Sequence, residues 1–215
     1  MHGRDIPSYN AGMENHLDHP CCRNTGRPVI GIDEVGRGSL IGDVVTSAVC
    51  FLGPLPTGLA DSKKISAKKR IVLDEAIRSC AHWSIGRASI EEIDSIGILA
   101  ATLLAMKRAW MGLDADLRRD ALVIIDGDKE PDIRADMEIM PRADQLCPTV
   151  SAASIVAKVH RDNAVIGLHN ADGRYAWDRN KGYGTRDHFL AIEEHGPSPY
   201  HRRSFQPVRG MLRRK

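Results

Sequence analysis

Apolar positions in this chain fall into short runs and periodic stripes separated by turn residues. Val29 to Val35 is an apolar run interrupted by Asp33 and Glu34, and Asp43 to Phe51 (DVVTSAVCF) is rich in β-branched residues. With Gly36, Gly38 and Gly42 between them, the pattern reads strand, glycine turn, strand. Ser66 is placed to cap a helix with an apolar stripe of Ile71, Leu73, Ala76, Ile77 and Cys80, and Trp83 to Ala88 follows as a strand. Ser89 and Glu92 have capping-box spacing. Beyond them Ile93, Ile96, Leu99, Leu103, Met106, Trp110 and Leu113 recur every three or four residues, with Gly97 as a candidate break. Ala121 to Ile125 (ALVII) reads as a fully buried strand ending at Asp126-Gly127, with a weaker strand at Met137 to Met140. Thr149 to His169 is Ala-rich and helical in period, and a last helix runs from Thr185 to a Gly196-Pro197 stop. The order β, β, α, β, α, β, β, α, α predicts an α/β fold, a sheet with helices packed on it. Residues 1 to 27 mix Gly, Pro, Asn and His without apolar periodicity and are expected to form a flexible extension, so the domain should start at Pro28.

The length of 215 residues sets a prior of one domain, 28–215, and 42% hydrophobic with 27% charged residues is ordinary globular composition. No run approaches a membrane span, and Arg4, Asp5, Glu14 and Asp18 deny the N-terminus a signal-peptide core, so a cytoplasmic protein is expected. Five cysteines (Cys21, Cys22, Cys50, Cys80, Cys147) without a C-x-x-C pair indicate neither a disulfide framework nor a zinc ribbon. Net charge is only +2, but its distribution is uneven. Every charged residue from Ser198 onward is basic (Arg202, Arg203, Arg209, Arg213, Arg214, Lys215), and Lys63, Lys64, Lys68, Lys69 and Arg70 form a second basic cluster. Acids dominate between Asp126 and Asp144. Solvated surface charge explains any one cluster alone; the combination points to a polyanionic substrate and metal-binding carboxylates.

Asp33, Glu34 and Asp126 interrupt or end strands that are otherwise apolar. A buried carboxylate needs a cation or hydrogen bonds, and a divalent metal at strand ends supplies the former. Adjacent strand residues point to opposite faces, so Asp33 and Glu34 can share one site only if the backbone turns there. Val35-Gly36-Arg37-Gly38 permits such a turn and would expose backbone N–H groups to an anion. Without a Cys or His cluster at ligand spacing, an all-oxygen site favours Mg²⁺ or Mn²⁺ over zinc. A lone Asp-Gly such as Asp126-Gly127 is more often a turn cap; the acids taken together favour the metal.

Six ordered blocks make the pattern specific: GIDEVGRG (Gly31 to Gly38), ADSKKIS (Ala60 to Ser66), IIDG (Ile124 to Gly127), SAASIVAKVHRD (Ser151 to Asp162), NKGYGT (Asn180 to Thr185) and HRRSF (His201 to Phe205). Together they closely resemble bacterial ribonuclease HII, the type 2 ribonuclease H family. The resemblance implies a ribonuclease H-like mixed sheet flanked by helices with a C-terminal helical segment. It implies an endonuclease that hydrolyses the RNA strand of RNA–DNA hybrids and cuts at ribonucleotides embedded in duplex DNA, leaving 5′-phosphate and 3′-hydroxyl ends, with a role in ribonucleotide removal during DNA repair and replication. The family's four acidic ligands fall on Asp33, Glu34, Asp126 and Asp144, which would hold two Mg²⁺ or Mn²⁺ ions. By that analogy Asp33 bridges the ions, Glu34 and Asp126 complete their shells, and Asp144 holds the ion beside the attacking water. Sugar recognition falls on Gly36, Arg37, Gly38 and Tyr183, and phosphate contacts on Lys63 and Lys64.

The chain departs from the family in two places. Arg142-Ala143-Asp144 stands where many members have Lys-Gly-Asp, and Ser39 where proline is common after GRG; Ser39 is expected to alter turn rigidity rather than chemistry. His188, His195 and His201 are expected at surface or packing positions, with none placed as a general base. A monomer with no membrane association is expected, and no protein partner is indicated. Two other functions fit parts of the pattern. A different ribonuclease H-like nuclease, such as a junction resolvase, shares the carboxylates but not the GRG and KGY-x-T pair; a noncatalytic nucleic-acid-binding module leaves the strand-end acids unexplained.

Overall fold

The computed structural model describes residues 26–59 and 65–212. Most of the expected N-terminal extension, Cys21 and Cys22, Lys63 and Lys64, and Arg213 to Lys215 lie outside the described residues. Strands β1 (Val29–Val35) and β2 (Val44–Cys50) are followed by α1 (Ala67–Cys80), β3 (His82–Ala88), α2 (Ile90–Ile96), α3 (Ile98–Met111) and the short α4 (Ala115–Arg118). Then come β4 (Leu122–Asp126), β5 (Asp136–Met140), a 3-10 turn at Ala143–Gln145, and α5 (Pro148–Ala171). A 3-10 turn at Gly173–Tyr175, α6 (Trp177–Asn180), α7 (Arg186–His195) and α8 (Val208–Leu212) complete the chain.

The strands form one five-stranded mixed sheet in the order β3-β2-β1-β4-β5. The β1-β2 and β2-β3 pairs are antiparallel, and the β1-β4 and β4-β5 pairs parallel. Side chains alternate across β1. Ile30 and Ile32 pack with Ala48, Cys50, Val123 and Ile125 beneath α3, against Met106, Ala109 and Trp110. Val29 points the other way and packs with Leu122, Ile124 and Val150, under α5. A Cβ on Gly31 would collide with the α5 backbone at Thr149 and Val150, so glycine is what lets this helix lie directly on the central strand. Burial of these two faces is the main favourable contribution to the fold.

The residues named for each strand were correct to within one position, and Gly97 does divide the long periodic segment, ending α2 with φ of +81°. That break also defeats part of the predicted stripe. Ile96 and Leu99 are 49% and 41% exposed, because the turn at Gly97 resets the helical phase. Met106 and Trp110 of that stripe are buried as expected, and the α3 face they share is completed by Ala101, Thr102, Ala105 and Ala109, whose alanines four apart permit close approach to β2 and β3. In α1, likewise, Leu73 and Ile77 are buried, but Ile71 and Cys80 are exposed, and Asp74 takes the third buried position while accepting from Arg78 at 2.9 Å. Beyond α5 the chain forms a helical C-terminal part around Leu40, Ile41, Val165, Tyr175, Trp177, Ile192 and Val208. No described helix is long and apolar enough to cross a membrane.

Candidate active site

Parallel pairing of β1 with β4 sets Ile32 opposite Ile125, so Asp33 and Asp126 occupy the next step at the ends of two adjacent strands. By side-chain alternation both share the α5 face with Val29, Leu122 and Ile124. Asp33 is 5% exposed; its carboxylate accepts from the Ser154 hydroxyl of α5 and, at 2.7 Å, from the Glu34 N–H. Burial pushes its pKa well above the usual carboxylate range, and the negative charges of Glu34 and Asp126 push it further.

Glu34 arrives differently from the sequence expectation. The backbone does not turn between Asp33 and Glu34. Both remain in β1, paired with Ser47 and Thr46 of β2, and the turn comes at Gly36 with φ of +93°. Glu34 thus starts on the opposite face, but at the very end of the sheet, where its side chain still feels Asp126. Its Oε1 accepts from Arg37 at 3.3 Å, whereas Oε2 is buried without a hydrogen-bond partner. Burial raises the Glu34 carboxyl, opposed by Arg37 and reinforced by Asp126.

Asp126 Oδ1 accepts from the Ala143 N–H at 2.7 Å, which ties the end of β4 to the 3-10 turn carrying Asp144. That turn begins with Arg142 in the left-handed region at φ of 65°, and Asp144 is 4% exposed. Among the described residues no three His, Cys, Asp or Glu side chains already form a metal-ligand group. The acids are instead turned onto local donors: Asp33 onto Ser154 and Glu34 N–H, Glu34 onto Arg37, Asp126 onto Ala143.

Directly beyond β1, the Gly36–Gly38 turn meets the 181–183 segment. Leu40 N–H donates to the Gly182 carbonyl at 2.8 Å, Ser39 and Tyr183 form an antiparallel bridge, and a Cβ on Gly38 would lie 4.0 Å from Tyr183 Cε1. Tyr183 is half-buried, with Lys158 and Arg161 at 5.9 and 5.5 Å from its ring centre. The two blocks expected to recognise the sugar are therefore neighbours, and they adjoin Glu34. At Gly36 the positive φ and a would-be Cβ 2.6 Å from Arg161 Nε both demand glycine.

Several residues that hold this region were not singled out from the sequence. Ser151, Ser154, Lys158 and Arg161 line one side of α5: Ser151 donates to the Leu59 carbonyl, Ser154 to Asp33, and Arg161 is 2% exposed beneath the glycine turn. Their three- and four-residue spacing in an Ala/Val-rich helix was the available signal. Arg202, counted from the sequence with the basic C-terminal arm, is fully buried, donating to the carbonyls of Gly42 at 2.9 Å and Arg37 at 3.0 Å. His188 and His201 are buried packing residues and His195 is exposed.

A protein-family model described as Ribonuclease HII matches residues 30–208. The chain belongs to the ribonuclease HII family. It is 49% identical over 189 residues to Ribonuclease HII of Alteromonas mediterranea, covering 87% of this chain and 98% of that protein. It is 47% identical over 188 residues to Ribonuclease HII of Ralstonia nicotianae, covering 86% and 80%. Among solved structures, ribonuclease H2 from Pyrococcus horikoshii OT3 superimposes with a TM-score of 0.71 at 22% identity, covering 87% of this chain and 98% of that one. Bst-RNase HIII in complex with Mn²⁺ gives a TM-score of 0.70 at 18% identity, covering 87% and 70%. These two likenesses establish the ribonuclease H-like fold. As a member of the ribonuclease HII family the protein is a ribonuclease H endonuclease acting on the RNA of RNA–DNA hybrids, which sets aside the noncatalytic module and the junction resolvase.

Proposed function

We propose that Asp33, Glu34, Asp126 and Asp144 bind two divalent cations, Mg²⁺ or Mn²⁺, and that the enzyme cuts both RNA–DNA hybrids and duplex DNA at embedded ribonucleotides, leaving 5′-phosphate and 3′-hydroxyl ends. The observation that carries this reading is the electrostatic state of the strand ends. Buried Asp33 lies beside Asp126 on the next strand, both Asp33 and Glu34 are raised by burial and like charge, and Glu34 Oε2 is buried without a donor. Such a group of hard oxygen atoms with surplus negative charge suits a hard divalent cation. The chemistry supplied by the bound ions is activation of a water and stabilisation of the leaving oxygen.

The protein's own groups then orient the substrate. Ser154 and the Glu34 N–H hold the Asp33 carboxylate, and Asp126 holds the turn that presents Asp144. The backbone of Gly36, Arg37 and Gly38 faces the ribose 2′-hydroxyl, the one group that separates a ribonucleotide from its deoxy counterpart. The Tyr183 ring packs on the adjoining sugar. Lys63 and Lys64 contact phosphates, and the catalytic body is 28–215 with a role in removing ribonucleotides from DNA. The test compares cleavage of a duplex containing one ribonucleotide, an all-DNA duplex and a long hybrid, each with Mg²⁺, Mn²⁺ or chelator. Cutting of the first and third with either ion supports the reading; cutting of the all-DNA duplex, or no cutting of the first, overturns it.

A further inference from the structure

Neither segment proposed to read the sugar is rigid by itself. Gly36–Arg37–Gly38 contains two glycines, and Tyr183 sits in the short connection between α6 and α7. What joins them is a buried polar clasp. Ser39 is 0% exposed, and its hydroxyl uses its full bonding capacity. It accepts from Arg161 Nη2 at 2.6 Å and from the Ile41 N–H at 3.3 Å, and its proton is shared between the carbonyls of Gly182 at 3.0 Å and Ile41 at 3.1 Å. Arg161 completes the clasp from α5. Nη1 donates to the Lys181 carbonyl at 2.8 Å, its Nε lies under Gly36, and its guanidinium is 5.5 Å from the Tyr183 ring centre. One hydroxyl and one guanidinium therefore touch both sides of the groove. The guanidinium is carried by the 24-residue α5, which also presents Ser154 to Asp33. Arg202 also holds the glycine turn, by hydrogen bonds to the carbonyls of Arg37 and Gly42.

We propose that Ser39 and Arg161 are positioning residues that fix the Gly36–Gly38 backbone relative to the Tyr183 ring and so set how strictly the enzyme requires a ribose. The inference rests on the reading that these two segments contact the sugar. Hydrogen-bond recognition of a single hydroxyl depends steeply on distance and direction, and loss of placement by about 1 Å is enough to lower turnover severely. The clasp matters most where one ribonucleotide supplies the only 2′-hydroxyl, and least on a long hybrid, where neighbouring riboses offer other contacts.

The experiment measures single-turnover cleavage of the one-ribonucleotide duplex and of a hybrid by wild type, Ser39→Ala, Ser39→Thr, Arg161→Lys and the Ser39→Ala/Arg161→Lys double variant. Thermal melting establishes that each is folded at the assay temperature, and anisotropy without divalent ions gives binding of the one-ribonucleotide and all-DNA duplexes. Ser39→Ala is expected to slow the one-ribonucleotide cut about tenfold, the loss of one buried hydrogen bond to a charged group, while hybrid cleavage falls much less. The binding preference for the ribonucleotide duplex should narrow with it. Ser39→Thr, which keeps the hydroxyl, should restore the ratio, and the double variant should be little worse than either single one, as for two halves of one contact. Equal losses on both substrates, or additive effects, would reduce the clasp to ordinary fold support and overturn the proposal. If Arg161→Lys does not fold, the Ala and Thr variants of Ser39 decide alone. A wild-type enzyme with no preference between the one-ribonucleotide and all-DNA duplexes would instead refute the underlying reading of the site, and the clasp with it.

Discussion

Replacing His201 by asparagine should remove much of the protein's sensitivity to mild acid. The ring nitrogens behind Tyr183 admit a single proton arrangement. Trp177 Nε1–H donates to His188 Nε2 at 3.0 Å, and His188 Nδ1 lies 3.0 Å from the Tyr183 carbonyl, so His188 carries its proton on Nδ1. His201 Nε2, 3.1 Å from that same acceptor, must be the donor. Its Nδ1 then accepts from the Ser198 N–H at 2.9 Å and the Ser198 hydroxyl at 2.8 Å. A further proton on either ring breaks one of these bonds. Burial, reinforced by His188, holds His201 down to about 4 from its ordinary 6.5, and burial lowers His188 as well. The unfolded chain thus takes up a proton that the folded one refuses, and stability is lost as pH falls from about 6.5 towards 4. At about 1.4 kcal/mol per pH unit for one proton, His201 alone accounts for about 3 kcal/mol across that window. Asp33 and Glu34, raised by burial, act in the opposite sense, because the folded protein protonates them first. They are common to both proteins and cancel in the comparison. Urea unfolding of wild type and His201→Asn between pH 7.5 and pH 4.5 gives the two slopes. The variant should be less stable at pH 7.5 but lose much less on acidification; parallel curves would refute the proton assignment.

Asp126→Asn should abolish cleavage and leave the metal-free protein as stable as wild type or more so, since Asp126 adds to the charge repulsion on Asp33 and Glu34, and asparagine can still accept from Ala143. Activity assays with saturating Mn²⁺ and a thermal melt check both halves. Tyr183→Phe should stay close to wild type on the one-ribonucleotide duplex, while Tyr183→Ala should lose roughly ten- to a hundredfold, the cost of about 1–3 kcal/mol when base or sugar stacking is removed; single-turnover rates compare them. Gly31→Ala should lower unfolding free energy by about 1–3 kcal/mol or more, because the new methyl meets the backbone of α5. Chemical denaturation measures that loss.

The parts of this architecture that local chemistry controls were readable from the chain. The apolar or β-branched runs of β1, β2 and β4 were plain, Gly97 marked a helix break, and Asp33, Glu34 and Asp126 stood out because they interrupt or end runs that otherwise want burial. The register that sets Asp33 beside Asp126 was not readable, since it is made by two strands almost a hundred residues apart. Nor was the route by which Glu34 reaches the site, around the end of a strand that does not bend. The buried face of α1 was placed correctly at Leu73 and Ile77 but missed Asp74, which pairs with Arg78 and takes a position that an apolar pattern reserves for a hydrophobe. The burial of Arg161 and Arg202 was not readable for a related reason: arginine reads as surface unless carbonyls distant in sequence solvate it, and here those of Lys181, Arg37 and Gly42 do so. Ser39, expected only to change the stiffness of a turn, carries the hydrogen bonds that join two segments of the groove.

In the proposed mechanism the strand-end carboxylates bind divalent ions that activate water for attack beside a ribose. The most direct test is the identity of the ends produced from a duplex containing one ribonucleotide, with Mg²⁺ or Mn²⁺ present and with both removed by chelator. Water attack supported by the metal site predicts 5′-phosphate and 3′-hydroxyl ends that appear only with the ion. Cutting that survives chelation, or a 2′,3′-cyclic phosphate from attack by the ribose itself, would rule that mechanism out.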